Sequence, residues 1–103
     1  MKVFLDDKRL PKEVYPNELD WELVYTAWKA IQLLATGKVT EISLDHDLGE
    51  NINGTGYDVV KWIEEQVFTN ESFNVPIIKI HSANPVGRKN MEAAIESINR
   101  HKR

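Results

Sequence analysis

Short apolar runs alternate with stretches of helical periodicity along the chain. The run Lys2–Leu5 stops at a pair of aspartates, and the run Val39–Leu44 stops at Asp45 in the same way. Ile77–Ile80 is a further run of this kind, and Trp21–Tyr25 fits a short strand between the first two. Short apolar runs that end at polar or turn residues are typical of buried strands. The pattern therefore predicts four strands.

Three longer stretches carry apolar residues at the spacing of an amphipathic helix. The first begins after Thr26, a suitable N-cap residue, and Gly37 is suited to close it. The second follows a glycine-rich loop, and the third begins near Pro85 or Gly87 and ends near Asn99. Residues three or four positions apart lie on one side of a helix, so each set predicts a buried face. The predicted faces are Trp28, Ile31, Leu34 and Ala35; Tyr57, Val60, Ile63 and Val67; and Met91, Ala94, Ile95 and Ile98.

The order of these elements predicts an α/β fold. The segment 8–20 contains two prolines and little periodicity, so we predict an irregular connection there. Elsewhere strands and helices alternate, which is typical of a parallel sheet in a three-layer arrangement. We therefore predict one domain over residues 1–103, with about four strands and about three helices. We expect Trp21, Trp28 and Trp62 to be buried or partly buried.

Composition and charge limit the class of protein without assigning a function. The 103 residues, 42% hydrophobic and 28% charged, are ordinary for one globular domain. The chain has no cysteine, which excludes disulfides and thiolate metal sites. A net charge of -3 argues against binding to duplex DNA, and we expect the basic tail 99–103 to be a solvated end. Without a long apolar stretch or a signal-peptide pattern, we expect a cytoplasmic protein that does not contact a membrane.

Acidic side chains follow two of the predicted strands directly. Asp6 and Asp7 come after the first strand, and Asp45 comes after the third. The carboxyl ends of parallel strands meet at one edge of a sheet, where ligands bind, so we expect these side chains to lie close together. Carboxylate oxygens are the ligands that Mg²⁺ and Mn²⁺ prefer. The three aspartates therefore predict a divalent-metal site, with helix capping and loop hydrogen bonding as the structural alternative.

Two histidines at the same edge suit proton transfer on a phosphodiester. His46 follows the third strand and His81 follows the fourth, and the imidazole pKa ordinarily lies near neutral pH. The alternative is that one or both are hydrogen-bonded histidines of a loop or of the core. The predicted catalytic residues are His46, His81 and Asp45. The predicted ligand-binding residues are Arg9, Asp47, Ser82, Asn84 and Arg88.

Four motifs along the chain resemble a known family. They are LDD at 5–7 with Arg9 close behind, LDHDLG at 44–49, GTGYDV at 54–59, and HSANP at 81–85 with the Gly-Arg pair at 87–88. In this combination they are similar to the cyclic-phosphate-processing receiver domains, a divergent and shortened relative of response-regulator receiver domains. The resemblance covers nearly the whole chain. It implies a three-layer, receiver-like (flavodoxin-like) parallel sheet.

The resemblance also implies a function for the strand-end residues. In response regulators an acidic pair binds magnesium and an aspartate accepts phosphate, and Asp6, Asp7 and Asp45 match these positions. The family occurs in bacteria and their phages. It implies a metal-assisted site that binds or opens a cyclic phosphate, with His46 and His81 as acid and base. The expected ligand is a cyclic nucleotide or a 2′,3′-cyclic RNA end.

Two alternative functions and one mode of assembly stay open at this point. The chain could bind a cyclic nucleotide without cutting it, or it could be a degenerate receiver that is phosphorylated on Asp45 and acts through protein contacts. Receivers ordinarily have five strands and a lysine on the fifth, and both are missing from the predicted order. A shortened sheet would expose the edge of the strand at 77–80, which favours a homodimer through that edge.

Overall fold

A parallel four-stranded sheet organises the molecule, which confirms the predicted α/β class. In the computed structural model, which describes residues 1–101, the strands are β1 (Lys2–Leu5), β2 (Trp21–Val24), β3 (Glu41–Leu44) and β4 (Ile77–Ile80). They lie in the order β2-β1-β3-β4, and all neighbours are parallel. The register sets Leu5 level with Leu44, and Leu44 level with Ile80. The first, third and fourth strands therefore end side by side.

The three long helices are present, and a fourth, short helix lies where an irregular connection is predicted. The helices are α1 (Pro11–Val14), α2 (Ala27–Leu34), α3 (Gly56–Thr69) and α4 (Pro85–His101), and a 3₁₀ turn covers Asn51–Asn53. Thr26 caps α2 as predicted, since its side chain accepts a backbone N–H of the first turn at 3.1 Å. The prediction for 8–20 is wrong over α1. Pro11 suits the first turn because its missing N–H is not needed there, and Glu13 accepts the Leu10 N–H.

The two faces of the sheet are covered unequally. Alternate residues of a strand face opposite ways, and Val3, Leu5, Ile42 and Leu44 share one face. The three long helices pack on that face and form one continuous core with it. The buried helix residues of this core are Ala27, Ala30, Leu34, Val59, Val60, Ile63, Met91, Ala94 and Ile98.

The opposite face of the sheet is covered by the segment 8–20. Phe4 is fully buried there, with the Tyr15 ring at 6.3 Å and the Trp21 ring at 6.1 Å, both edge-on. Tyr15 and Trp21 stack on each other at 5.2 Å. The segment around α1 thus forms a thin third layer, and aromatic packing holds it against the sheet.

Helix α2 is rotated relative to the predicted buried face. Trp28 is 53% exposed, and its Nε1 donates to the Ile52 carbonyl at 2.6 Å. The predictions that Trp28 and Ala35 lie in the buried face are therefore wrong. The small side chains of Ala27 and Ala30 face the sheet instead, which lets the helix backbone approach closely. A larger residue in their place would push the helix away from β1.

The last helix and the sheet edges complete the fold. Helix α4 continues through His101, so it extends past the predicted end at Asn99, and the tail residues 102–103 lie outside the described residues. β4 is an edge strand, as predicted for the shortened sheet. The Arg88 guanidinium bonds the Ile80 carbonyl at this edge at 3.4 Å. Within residues 1–101, none of the helices combines the length and the apolar character needed to span a bilayer.

Candidate functional site

The ends of β1, β3 and β4 meet at the carboxyl edge of the sheet, and those of β1 and β3 bring the acidic residues together. The backbone ladder continues one residue past the strands, since the Asp45 N–H bonds β1 at 2.9 Å and the His81 N–H bonds β3 at 3.0 Å. Asp6, Asp7 and Asp45 each place a carboxylate oxygen within 4.8 Å of the others. Like charges at this distance repel unless a cation or hydrogen bonds offset them.

The acidic residues line a groove with a volume of about 510 Å³. Four carboxylates line it against one lysine and one arginine, so the groove as a whole is acidic. Six of the predicted site residues line it, whereas His46, His81, Ser82 and Arg88 do not. The lining residues are Asp6, Asp7, Lys8, Arg9, Asp45, Asp47, Gly49, Ala83 and Asn84.

Asp6 is the most tightly held of the three aspartates. Its Oδ1 accepts the backbone N–H groups of Lys8 at 2.8 Å and Arg9 at 2.9 Å. Its Oδ2 accepts Arg9 Nε at 3.2 Å and faces His81 Nε2 at 3.0 Å. Burial alone would raise the pKa of Asp6, but these hydrogen bonds outweigh it and the pKa lies below its ordinary value. Asp6 is therefore an ionised anchor at the base of the site.

Asp45 has the opposite electrostatic setting. Burial, and then the negative charge of Asp6, raise the pKa of Asp45 above its ordinary value. The His46 N–H donates to its Oδ1 at 2.8 Å and opposes that rise only in part. A bound cation would favour the ionised form of Asp45, because it adds positive charge next to the carboxylate.

His81 lies inside the protein beneath the groove. Its Nδ1 is 2.7 Å from Ser43 Oγ, its Nε2 is 3.0 Å from Asp6 Oδ2, and its ring stacks on Phe4 at 4.3 Å. Burial lowers the pKa of His81 to about 4, although the Asp6 carboxylate acts against this shift. Both ring nitrogens thus serve contacts within the protein, and the ring is neutral at pH 7.

The depressed pKa of His81 predicts a loss of stability in mild acid. The unfolded chain takes up a proton near pH 6.5 that the folded chain takes up only near pH 4. Between pH 6.5 and pH 5 the free energy of unfolding should therefore fall by roughly 1.5 kcal/mol. Urea denaturation in EDTA measures this fall. We expect His81→Asn to be less stable but to show a flatter dependence on pH in the same range, and a flat wild-type curve would contradict the assignment.

His46 is fixed by its neighbours on the loop and on α4. Its Nδ1 is 3.0 Å from Asp47 Oδ1, and the Asn84 amide donates to the other Asp47 oxygen at 3.1 Å. The hydrogen bonds from His46 and then Asn84 lower the pKa of Asp47. Gly87 packs directly on the imidazole, since a Cβ at that position would lie 2.3 Å from the His46 Cγ. This carboxylate–imidazole pair is typical of an oriented proton-transfer group.

The remaining predicted residues divide between the groove and its surroundings. Arg9 lies in the groove, but its guanidinium is already bonded to Asp6 and to the His81 carbonyl. Asn84 caps α4, since its Oδ1 accepts the Gly87 N–H at 3.0 Å. The Ser82 hydroxyl accepts the Asn84 N–H at 3.1 Å. Arg88 lies along the open edge of β4 and bonds main-chain carbonyls there.

Residues that the sequence pattern does not single out also contribute to the site. Tyr15 Oη is 2.7 Å from Ser43 Oγ, which in turn contacts His81. Ser43 lies between Ile42 and Leu44 in β3, and a hydroxyl between two apolar residues was the one available signal. Nothing in the sequence alone connects Tyr15, in the 8–20 segment, to this position.

The fold and the site define a receiver-like α/β domain with an acidic cluster at the carboxyl edge of its sheet. The family model described as the cyclic-phosphate processing receiver domain matches residues 1–97. The chain belongs to this family, as its motifs predict. A comparison with curated proteins finds no match.

A solved structure supports the fold assignment independently. The signal receiver domain of a Vibrio parahaemolyticus protein described as a Luxo repressor has 21% sequence identity and a TM-score of 0.52. The match covers 98% of this chain and 92% of that one. At this identity the likeness shows the fold alone, and it confirms the flavodoxin-like receiver arrangement.

Proposed function

We propose that the chain binds a cyclic phosphate together with a divalent cation in the acidic groove and opens the phosphate ring with water. The observation that carries this proposal is the meeting of Asp6, Asp7 and Asp45 within 4.8 Å at the groove of a member of this family. The ligand would be a cyclic nucleotide or a 2′,3′-cyclic RNA end. An acidic groove repels a phosphate by itself, which makes a cation part of the proposal.

The residues present fit Mg²⁺ or Mn²⁺. Asp7 and Asp45 are partly exposed and would offer carboxylate oxygens from the groove side. Asp6 already accepts four hydrogen bonds, so it would bind a cation directly only by releasing one of them, and the longest is that from Arg9 Nε. When bound, the cation supplies positive charge against a phosphoryl oxygen.

The side chains around the cluster would handle protons and orientation. In the reaction, water forms a bond to phosphorus, one ring P–O bond breaks, and a proton of the water ends on the leaving oxygen. His46 lies beside the groove, and it is the better of the two histidines for this transfer because, of its two ring nitrogens, only Nδ1 has a side-chain hydrogen-bond partner among residues 1–101, namely Asp47. His81 would hold the Asp6 carboxylate through Nε2, from the interior side of the site. Lys8 and Asn84 line the groove, where they would contact the phosphate or the rest of the ligand.

A panel of cyclic phosphates tests the proposal. We would incubate the protein with Mg²⁺, Mn²⁺ or EDTA and with 2′,3′-cyclic mononucleotides, 3′,5′-cyclic mononucleotides and cyclic oligonucleotides. Mass spectrometry should find the gain of one water on one class, in the presence of metal only. Intact ligand recovered after denaturing a loaded sample would favour a binding module instead. A phosphoryl group on the protein from a small phosphodonor, absent in Asp45→Asn, would favour a degenerate receiver.

His46→Asn should separate proton transfer from binding. Asparagine keeps a hydrogen-bond donor near Asp47 but cannot exchange a proton, so we expect the rate of ring opening to fall by about 100-fold. Mn²⁺ affinity should stay close to that of the wild type. His101→Asn, on the exposed end of α4, is the matched control and should change neither quantity. Unchanged turnover in His46→Asn would remove His46 from the reaction.

A homodimer through the open edge of β4 and a cytoplasmic location also stay predictions for this protein. β4 lies at the edge of the sheet, and the Arg88 side chain contacts its Ile80 carbonyl. Sedimentation of the purified chain at micromolar concentration should find a dimer, and a monomeric mass would rule the dimer out.

A further inference from the structure

A chain of hydrogen-bonded side chains runs beneath the acidic site from the opposite face of the sheet. Tyr15 Oη lies 2.7 Å from Ser43 Oγ, and Ser43 Oγ lies 2.7 Å from His81 Nδ1. His81 Nε2 then lies 3.0 Å from Asp6 Oδ2. Ser43 and Asp6 are buried, and the exposed fraction of the His81 side chain is 3%. Tyr15 is partly buried, and we call these four residues the internal hydrogen-bond chain.

With an ionised Asp6 and a neutral His81, the hydrogen bonds among these four side chains can be donated in one direction only, from Tyr15 toward Asp6. The ionised Asp6 carboxylate only accepts, so His81 Nε2 must carry the proton. A neutral imidazole then has a bare Nδ1, which must accept the Ser43 hydroxyl proton. The Ser43 oxygen is left to accept the hydroxyl proton of Tyr15. The His81 side chain is only 3% exposed, and burial of this kind favours the neutral ring that this order requires.

We propose that Tyr15 and Ser43 are positioning residues that hold His81 in the Nε2-protonated tautomer and thereby fix the Asp6 carboxylate for the site. The other tautomer would turn a lone pair of Nε2 toward the carboxylate and would direct a proton at Ser43. Phe4 sets the plane of the ring, since the two rings stack at 4.3 Å with an interplanar angle of 7°. Stacking leaves the tautomer open. The Asp6 carboxylate requires a proton on Nε2, and the Ser43 hydroxyl stabilises the same tautomer by donating to the bare Nδ1.

In this proposal the segment 8–20, which forms the thin third layer of the fold, helps to position Asp6. Tyr15 belongs to the segment 8–20, which packs on the sheet face opposite the three long helices. Asp6 accepts donors from the same segment, through the N–H groups of Lys8 and Arg9. The segment therefore holds Asp6 from two sides, directly through the main chain and indirectly through Tyr15, Ser43 and His81. This part of the inference rests on the proposed function, because it assumes that Asp6 serves a cation site.

Nitrogen NMR of the histidine side chains and Mn²⁺ affinity together test the inference. In the metal-free wild type, the ¹⁵N shifts should report His81 with a protonated Nε2 and a bare Nδ1. Ser43→Ala should increase the other tautomer and lower Mn²⁺ affinity by about tenfold, which is typical for loss of an outer hydrogen-bond partner. Tyr15→Phe should move both quantities in the same direction by a smaller amount, and it keeps the test usable if Ser43→Ala does not fold.

Two control variants separate positioning from general destabilisation. Tyr25→Phe removes a hydroxyl from a tyrosine that is 59% exposed, and Ile98→Val trims a buried side chain on the other face of the sheet. Both should leave the tautomer and Mn²⁺ affinity as in the wild type. A wild-type His81 protonated on Nδ1, or variants that keep both tautomer and affinity, would overturn the inference. If the wild type binds no Mn²⁺, the proposed function fails, and the tautomer shift alone then decides the positioning role.

Discussion

Asp45→Asn is expected to abolish tight binding of divalent cations, with an affinity loss of about 100-fold or more. The carboxylate of Asp45 faces the groove and lies within 4.8 Å of the Asp6 and Asp7 oxygens. Asparagine has nearly the same shape and can still accept the His46 N–H, but it lacks the charge. Turnover of a cyclic phosphate should fall with the affinity. Calorimetric titration with Mn²⁺ and the mass-spectrometric assay measure the two losses.

The same substitution should not cost stability in EDTA. Burial and the Asp6 charge raise the pKa of Asp45, so the folded state pays for keeping this carboxylate ionised. Removing the charge relieves that repulsion, and we expect Asp45→Asn to be at least as stable as the wild type at pH 7. Asp20→Asn, at an exposed loop position with φ 68°, is the matched control and should bind Mn²⁺ normally. Undiminished Mn²⁺ affinity in Asp45→Asn would place the cation elsewhere.

Gly56→Ala is expected to destabilise the fold by about 3 kcal/mol or more. A Cβ on Gly56 would lie 2.0 Å from the carbonyl oxygen of Asp45, which is main chain and cannot rotate away. Gly56 also donates its N–H to the His46 carbonyl at 3.0 Å, so the start of α3 is tied to the β3 loop at this point. The methyl group must therefore displace either the helix or the loop that carries the acidic site.

Gly37→Ala provides the contrast for this prediction. Gly37 has φ +76°, which an L-residue adopts with strain, but no atom of residues 1–101 lies within 4 Å of its Cβ position. We expect a cost of about 1 kcal/mol from the backbone alone. Urea denaturation of both variants gives the comparison. Equal free energies of unfolding for the two variants would mean that the loop after β3 moves to accommodate the new methyl group. The close contact between Gly56 and the Asp45 carbonyl would then have no part in positioning Asp45.

Local patterns along the sequence predicted the four strands, the three long helices and their order. The strands β1 and β3 end where the apolar runs meet Asp6 and Asp45, and the cap of α2 lies at Thr26, as predicted. Such features depend on neighbours within a few residues, so periodicity and capping chemistry can predict them. The short helix α1 was not predicted, because a single helical turn shows no periodicity in the sequence. Aromatic contacts to the sheet hold it in place.

The acidic cluster was also within reach of the sequence, since parallel strands end at one edge whatever their packing. Asp6, Asp7 and Asp45 meet because β1 and β3 are parallel neighbours in register. The alternation of strands and helices predicts the parallel sheet, whereas the order of the strands comes from the structure. The motifs LDD and LDHDLG assigned the same residues through the family resemblance. Which oxygen accepts which donor was beyond the sequence, because those contacts join segments far apart in the chain.

The amino-acid sequence by itself determined the parallel α/β fold, its family and the strand ends that supply the acidic residues. Only the tertiary structure decided the setting of the two histidines. His46 pairs with Asp47 beside the groove, whereas His81 is buried between Ser43 and Asp6 and is neutral. The physical reason is that period and composition depend on short stretches of chain. Burial, tautomer and charge state depend on contacts such as His81 with Asp6, 75 positions apart.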